Sequence, residues 1–261
     1  MIPPARAARL HARMTRAFER VAVGLALLVI AGTLAIMFAR VGFPLELEWM
    51  EGGLLHQALR IQRGEPAYPP PSAAFVPFLY PPAYPALLAA LGRIAPLDFA
   101  LARAVSIACA VATGFAIARA VRREAKPRSA AIVAVGLFAA SYPFTLRWLD
   151  LARPDSLFLA LATWGLVLLR EGWGDRRRIV LAGLCMGLAF WAKQTAFVLI
   201  VASGLGALIV APRGLPLYAL VIAAIDLGGL ALGQLRSGGM LWHYIYELHQ
   251  AHGFNDERFR S

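Results

Sequence analysis

Runs of about twenty apolar residues recur along this chain, and each is long enough for a helix to cross the roughly 30 Å hydrocarbon core of a bilayer. Arginines gather at the ends of these runs. Of the 261 residues, 59% are hydrophobic and only 16% are charged, whereas a soluble domain carries roughly 25% charged residues. The expected fold class is all-α. It is a polytopic helical membrane protein with about seven transmembrane helices and amphipathic surface helices in its first outer loop.

The formal charge is +11, and all but two of the 26 basic residues are arginine, the exceptions being Lys126 and Lys193. A basic balance points to nucleic acid only where a soluble basic face exists. Here the basic residues sit where topology is controlled, so nucleic acid is not expected as a partner. Cys109 and Cys185 lie inside apolar segments without metal-type spacing and read as packing residues.

Topology follows from the placement of arginine. Residues 1–20 form a basic cytoplasmic N-terminus. Arg6, Arg9, Arg13, Arg16 and Arg20 are spaced by three and four, so they share one helix face. That face suits anionic headgroups of the cytoplasmic leaflet, or acts as a plain retention signal. Val21–Phe43 is too long for a signal-peptide core and reads as the first span, running outward. In the first outer loop, 44–98, an amphipathic stretch from Leu54 to Arg63 precedes a proline-stiffened crossing. Pro81–Ile94 is too short to span and is expected as a helix at the outer surface. Phe99–Ala118 then returns inward, Ala130–Leu146 runs out, and Pro154–Leu169 runs back. Residues 179–211 suffice for two short spans turning outside near Lys193-Gln194-Thr195, the alternative being a single tilted helix that would flip everything after it. Leu215–Leu235 closes a transmembrane domain of 21–235 and leaves 236–261 as a polar outer tail. The inside loops then carry the basic excess while the outside segments nearly balance, as the positive-inside rule requires.

This topology places two acidic patches, Glu46-Leu47-Glu48-Trp49-Met50-Glu51-Gly52-Gly53 and Asp150-Leu151-Ala152-Arg153-Pro154-Asp155, on the same non-cytoplasmic side as Lys193. Acids at the mouth of a membrane segment are costly unless they hold a cation or take protons from a substrate. Trp49, Tyr68, Tyr80, Tyr84, Tyr142 and Trp148 suit either a headgroup-level aromatic belt or stacking on a sugar.

Several of these segments, in this order, resemble the GT-C class of membrane glycosyltransferases, which includes the protein O-mannosyltransferases and the aminoarabinose transferases. The resemblance rests on Glu48-Trp49-Met50-Glu51-Gly52 after the first span, Gly64-Glu65-Pro66-Ala67-Tyr68, and Tyr80-Pro81-Pro82-Ala83-Tyr84-Pro85. It continues in Leu101-Ala102-Arg103-Ala104-Val105-Ser106, in Asp150 to Ser156, and in Ala192-Lys193-Gln194-Thr195-Ala196. It implies an integral membrane glycosyltransferase, multi-pass in the cell (inner) membrane, that works in cell-envelope glycosylation. Such an enzyme moves a sugar from a polyprenyl-phosphate carrier to a lipid, glycan or protein acceptor at the non-cytoplasmic face. Many relatives carry Asp-Glu in the first motif where Met50-Glu51 stands here, so Glu51 is the better match and Glu48 a stand-in for the missing acid. Members of that class usually have further spans beyond the point where this chain ends, at Phe259-Arg260-Ser261 in a polar outer segment. The sequence is therefore expected to be C-terminally truncated relative to them.

The chemistry needs a carboxylate to take the proton of an acceptor hydroxyl and negative charge near an oxocarbenium-like transition state. It also needs cations or a divalent metal ion on the departing phosphate. Glu51 is the first candidate for base or metal ligand and Glu48 the second, with Glu46 read as solvated. Asp155 is the second acid by resemblance, although an acid in the first turn of a helix is also placed to complement the dipole. Asp150 ranks equally on chemistry alone, with a salt bridge to Arg147 or Arg153 as its structural alternative. Lys193 suits a lipid phosphate, with snorkelling to the interface as the plainer role. Arg60, Arg63, Arg153 and Arg236 are further phosphate candidates.

Asp226, inside the last span, is either functional or packed against a polar partner such as Gln234. His249 and His252 are spaced to share a helix face and, with His243, make a weak metal set lacking a firm third ligand. The competing classes are a transporter or lipid-handling membrane protein without transfer chemistry, and an inactive fragment of a glycosyltransferase. A transporter concentrates charge at the bilayer midplane and often repeats itself in halves; here the acids stand at the outer mouth and no repeat is visible.

Overall fold

The apolar runs become helices whose ends are set by local chemistry. The computed structural model describes residues 4–124, 126–172, 174–210 and 212–250. In order these form α1 (Pro4–Val41), α2 (Glu51–Gln62), α3 (Ala83–Leu91), α4 (Phe99–Arg123), α5 (Arg128–Ala140), α6 (Asp155–Glu171), α7 (Arg176–Ala192), α8 (Ala196–Val210) and α9 (Leu215–Arg236). A last helical run covers 240–250, with a π-helical turn at His243–Glu247. Among the described residues, strand-like pairing is limited to a single bridge between Ser72 and Phe75. The Asp98 side chain starts α4 by accepting from the Leu101 amide at 2.9 Å, and Asp175 starts α7 by accepting from the amides of Arg177 and Arg178. Each carboxylate satisfies donors that a helix N-terminus leaves unpaired and complements the helix dipole.

Among the described residues three helices are long and apolar enough to cross a membrane: His11–Val41 within α1, Phe99–Arg123, and Pro212–Arg236. The helices α5, α6, α7 and α8 have 13, 17, 17 and 15 residues, short of the roughly 20 that a straight crossing uses. By this measure three of the seven expected crossings are present. The difference arises where polar turns take residues from helix ends: α5 stops at Ala140, and the chain then turns through 141–147 instead of continuing to Leu146. Residues 179–211 break at Lys193–Thr195 into two helices. α1 is one continuous helix of 38 residues, about 57 Å long at about 1.5 Å per residue. The basic segment is thus continuous with the first span from Pro4 onward.

α6 packs against α4 and α7, α7 carries α9, and α1 lies on α5 and α4. One apolar core joins Ala162 and Leu169 of α6, Ala182 and Met186 of α7, and Tyr218 and Ile222 of α9. A second joins Met37, Ile107 and Ala110 to Tyr142 and Leu149. A small residue permits the α1–α5 approach: a Cβ added at Gly136 would lie 2.8 Å from the Ala26 Cα.

Segment 44–98 folds onto this bundle. Ala58 of α2 and Tyr84 and Leu88 of α3 pack on Ala102 of α4 and on Ala152, and the Tyr84 hydroxyl donates to the Ala102 carbonyl at 2.9 Å. The 240–250 run covers Tyr68 through Leu241, Tyr244 and Ile245. Gln194 reaches the carbonyl of Leu79 at 2.7 Å. Segment 44–98, the turn 141–154, Lys193–Thr195 and 240–250 therefore gather at one end of the bundle. At the opposite end Glu171 accepts from Arg119 and Arg123, and Arg170 pairs with Glu124. Tyr68, Tyr84 and Tyr142, expected in an aromatic belt, are buried within the protein, because each packs beneath a loop or helix of the first end; Trp49 is 71% exposed.

Candidate functional site

The short segment from Asp150 to Asp155 carries three polar nodes, each tied to a different helix. In the first, Glu51 opens α2 and meets Arg103 of α4, and both side chains are 0% exposed. Glu51 Oε1 accepts from Arg103 Nε at 3.0 Å and from the Ala152 amide at 2.8 Å. Its Oε2 accepts from Arg103 Nη2 at 2.7 Å and the Leu47 amide at 2.6 Å. The guanidinium also donates to the carbonyls of Phe43 at 2.6 Å and Leu45 at 2.7 Å. Burial alone would raise the Glu51 carboxyl, but the Arg103 hydrogen bonds and the amides of Ala152 and Leu47 together hold it below the usual carboxylate range. Ranked first by sequence as base or metal ligand, Glu51 is enclosed with four donors around two oxygens. In this arrangement it ties the loop after α1 to α4 and to Ala152.

The second node is Asp150. It is buried and accepts from the Tyr142 hydroxyl at 2.9 Å, and its partner cation is Arg40 at 3.4 Å, which itself donates to Tyr142 at 2.6 Å. The expected partners Arg147 and Arg153 are not the ones used. Leu146 and Arg147 both have left-handed backbone, with φ of 53° and 58°, and the Arg147 side chain is exposed. Burial pushes the Asp150 carboxyl above its ordinary value, against the pull of Arg40 and Tyr142. Asp150 therefore serves the α1–α5 end of the bundle.

The third node is largely buried, its side chains 4% to 20% exposed, and mixes both signs of charge. Arg153 Nη1 lies 3.0 Å from Glu48 Oε1, and its Nε donates to Asp155 Oδ2 at 3.0 Å. Lys193, at the end of α7, donates to Asp155 Oδ1 at 2.6 Å. The guanidinium carbon of Arg153 sits 4.3 Å from the Trp148 ring centre, and Lys193 Nζ sits 5.7 Å from that of Tyr80. The other oxygen of Glu48 accepts from the Met50 amide at 3.0 Å. Four candidates from the sequence, Glu48, Arg153, Asp155 and Lys193, thus form one chain of ion pairs at the first end of the bundle. Two anions hold two cations there, partly open to the surroundings, and a phosphate could displace the carboxylates from the cations.

The remaining candidates lie elsewhere. Arg60 pairs with Glu65 at 2.8 Å and stacks 4.7 Å over Phe75, while Arg63 and Arg236 are exposed at the ends of α2 and α9. Glu46 is exposed. Gln234, suggested as the partner of Asp226, instead bonds the Gly239 carbonyl and the Trp242 amide. His243 pairs with Glu247 at 2.8 Å, and His252 lies outside the described residues. Among the described residues no group of three or more His, Cys, Asp or Glu side chains is arranged to hold a metal ion. Glu48 and Asp155, the accessible acids of the first two motifs, are paired with Arg153 and Lys193.

Arg103 and Arg40 were not singled out by sequence reasoning. Arg103 carried a usable signal, being a lone cation in the apolar run after Phe99, where a charge demands a partner. The Arg40 signal was hidden by its place at the end of a span, where arginine is ordinary.

No curated protein and no solved structure matches this chain. Residues 78–234, which run from the first outer loop through α9 and include Arg103, the Asp150–Asp155 segment and Lys193, match the family model of glycosyltransferase family 87. With its long apolar helices and the ion-pair chain at their end, the protein belongs to glycosyltransferase family 87.

Proposed function

We propose that the protein transfers a sugar from a polyprenyl-phosphate carrier to an acceptor hydroxyl at the non-cytoplasmic face of the cell membrane, as a GT-C-type enzyme. The observation that carries this reading is the ion-pair chain Glu48–Arg153–Asp155–Lys193, in which Glu48, Asp155 and Lys193 keep some exposure. A departing lipid phosphate needs preorganised cations, and Arg153 and Lys193 supply them. Arg153 offers a planar fork, stacked on Trp148, and Lys193 a point charge on a flexible stem. Asp155 touches both and sets the distance between them.

In the reaction the bond between the anomeric carbon and the phosphate oxygen breaks as the acceptor oxygen bonds to that carbon. The electron pair leaves with the carrier phosphate, which Arg153 and Lys193 neutralise. Glu48 takes the proton of the acceptor hydroxyl. It is the accessible acid of the first motif, whereas Glu51 is enclosed by four donors. The carboxylates of Glu48 and Asp155 also supply negative charge beside the oxocarbenium-like centre. The arginine-rich end formed by Arg119, Arg123, Arg170 and Arg178 then faces the cytoplasm, as the charge bias requires.

Sugar transfer from a polyprenyl-phosphate donor, measured in membranes containing the protein, tests this. Glu48→Gln is expected to lower kcat by roughly 10²- to 10⁴-fold, the usual contribution of a general base. Lys193→Met is expected to weaken donor use while leaving the melting temperature close to that of the parent. Undiminished transfer by both variants would falsify the assignment.

A further inference from the structure

α9 presents two functional faces. Val221, Ile225 and Gly229 pack on Gly183, Gly187 and Trp191 of α7, where added Cβ atoms would meet the facing side chains. Trp191 Nε1 donates to the Ile225 carbonyl at 3.3 Å and fixes that contact. Tyr218, Ile222, Asp226 and Leu230 recur every fourth residue and so share a second face. This face lines a cavity of about 610 Å³ between α7, α8 and α9, bounded also by the 240–250 run.

The cavity is apolar and aromatic, with Phe190, Phe197, Tyr218, Trp242 and Tyr246 in its wall and Asp226 as its one charged residue among those described. The Trp242 and Tyr246 rings stand 4.4 Å apart at 33°. Asp226 Oδ1 is buried and has no hydrogen-bond partner, and Gln234 is engaged elsewhere. A carboxylate oxygen left unpaired among apolar groups is costly. A plain hydrocarbon occupant would leave that cost in place, and an anion would add to it. A cation carrying its own apolar body relieves it, since its charge meets the carboxylate and the aromatic faces while its body fills the apolar volume.

We propose that this cavity binds an amphipathic amine, an ammonium group on an alkyl or aryl body, with Asp226 as its counter-ion and the rings of Phe197, Trp242 and Tyr246 around it. The site is separate from the Glu48–Arg153–Asp155–Lys193 chain and takes a ligand of opposite charge to a lipid phosphate.

The test uses the full chain in zwitterionic nanodiscs. Quenching of tryptophan emission by a nitroxide-labelled alkylammonium is compared with quenching by the alcohol and the carboxylate of the same chain and label, with concentrations expressed as probe per lipid. Half-maximal quenching is expected at a roughly tenfold lower level for the ammonium than for the alcohol, with the carboxylate weakest. Trp242→Phe should remove most of the signal, and Asp226→Asn should close the gap between ammonium and alcohol while the alcohol still binds. Should Asp226→Asn fail to fold, the ranking of the three probes on the parent protein decides alone. Equal half-points for ammonium and alcohol, a gap that persists in folded Asp226→Asn, or full quenching without Trp242 would each overturn the proposal.

Discussion

Arg103 ties segment 44–98 to α4: it binds both oxygens of Glu51 and the carbonyls of Phe43 and Leu45, with no part of it exposed. Removing one partner of a buried ion pair leaves the other charge stranded, at a cost of about 3–5 kcal/mol. Arg103→Met is therefore expected to lower stability by about that amount, read as thermal unfolding in detergent. The double variant Arg103→Met with Glu51→Gln should be destabilised by less than the two single changes together. The same pair makes the fold acid-sensitive. The folded-state value of Glu51 is lowered, so its contribution is complete above its ordinary 4.5 and is lost as pH falls through the lower folded value. The melting temperature of the parent should fall more steeply below that pH than that of Glu51→Gln; parallel curves would remove Glu51 from the account. These residues show how sequence and structure part company. Glu51 could be found from its motif, but its role could not, because enclosure depends on Ala152 and Arg103 arriving from distant parts of the chain.

At the scale of elements, the helices were legible wherever apolar periodicity met a clear cap. α4 begins at Asp98 and α7 at Asp175, and both starts are marked by an acid before the run. The surface helices α2 and α3 were also anticipated, because one is amphipathic and the other is too short to cross. Helix ends were less legible, since hydropathy does not reveal where a turn such as 141–147 consumes the end of a helix. The α1–α5 contact gives this level its test. Gly136→Leu would force the Ala26 backbone away, an overpacking cost of about 1–3 kcal/mol. Gly32→Leu in α1, with nothing within 4 Å, should leave the melting temperature nearly unchanged. A similar loss in both variants would argue against close α1–α5 packing.

Across the whole molecule the two ends differ in kind. One end carries the fully buried Glu51–Arg103 pair and the partly accessible ion-pair chain; the other carries Glu171 with Arg119, Arg123 and Arg178 around it. Those arginines are partly exposed, at 37% to 54% of the side chain, so salt screens their pull. Glu171→Gln is expected to lower stability by up to about 1 kcal/mol at low ionic strength, and by less at high salt. Sugar transfer should be unchanged in this variant, because the ion-pair chain lies at the opposite end of the bundle. The arginine bias in the sequence set the basic end around Glu171 apart from the end that carries the ion-pair chain. It could not resolve which acids at the first end are sealed and which are accessible, because that depends on side-chain contacts over long separations.

Those separations also dictate an order of assembly. Glu51 must wait 52 residues for Arg103 and 101 residues for the Ala152 amide. During synthesis α1 and segment 44–98 are therefore made well before the atoms that lock them exist. Until Ala152 emerges, a nascent chain holds Glu51 with Arg103 alone, and the ion-pair chain at Arg153 has nothing to build on. The first part of the protein to be synthesised is thus among the last to become rigid.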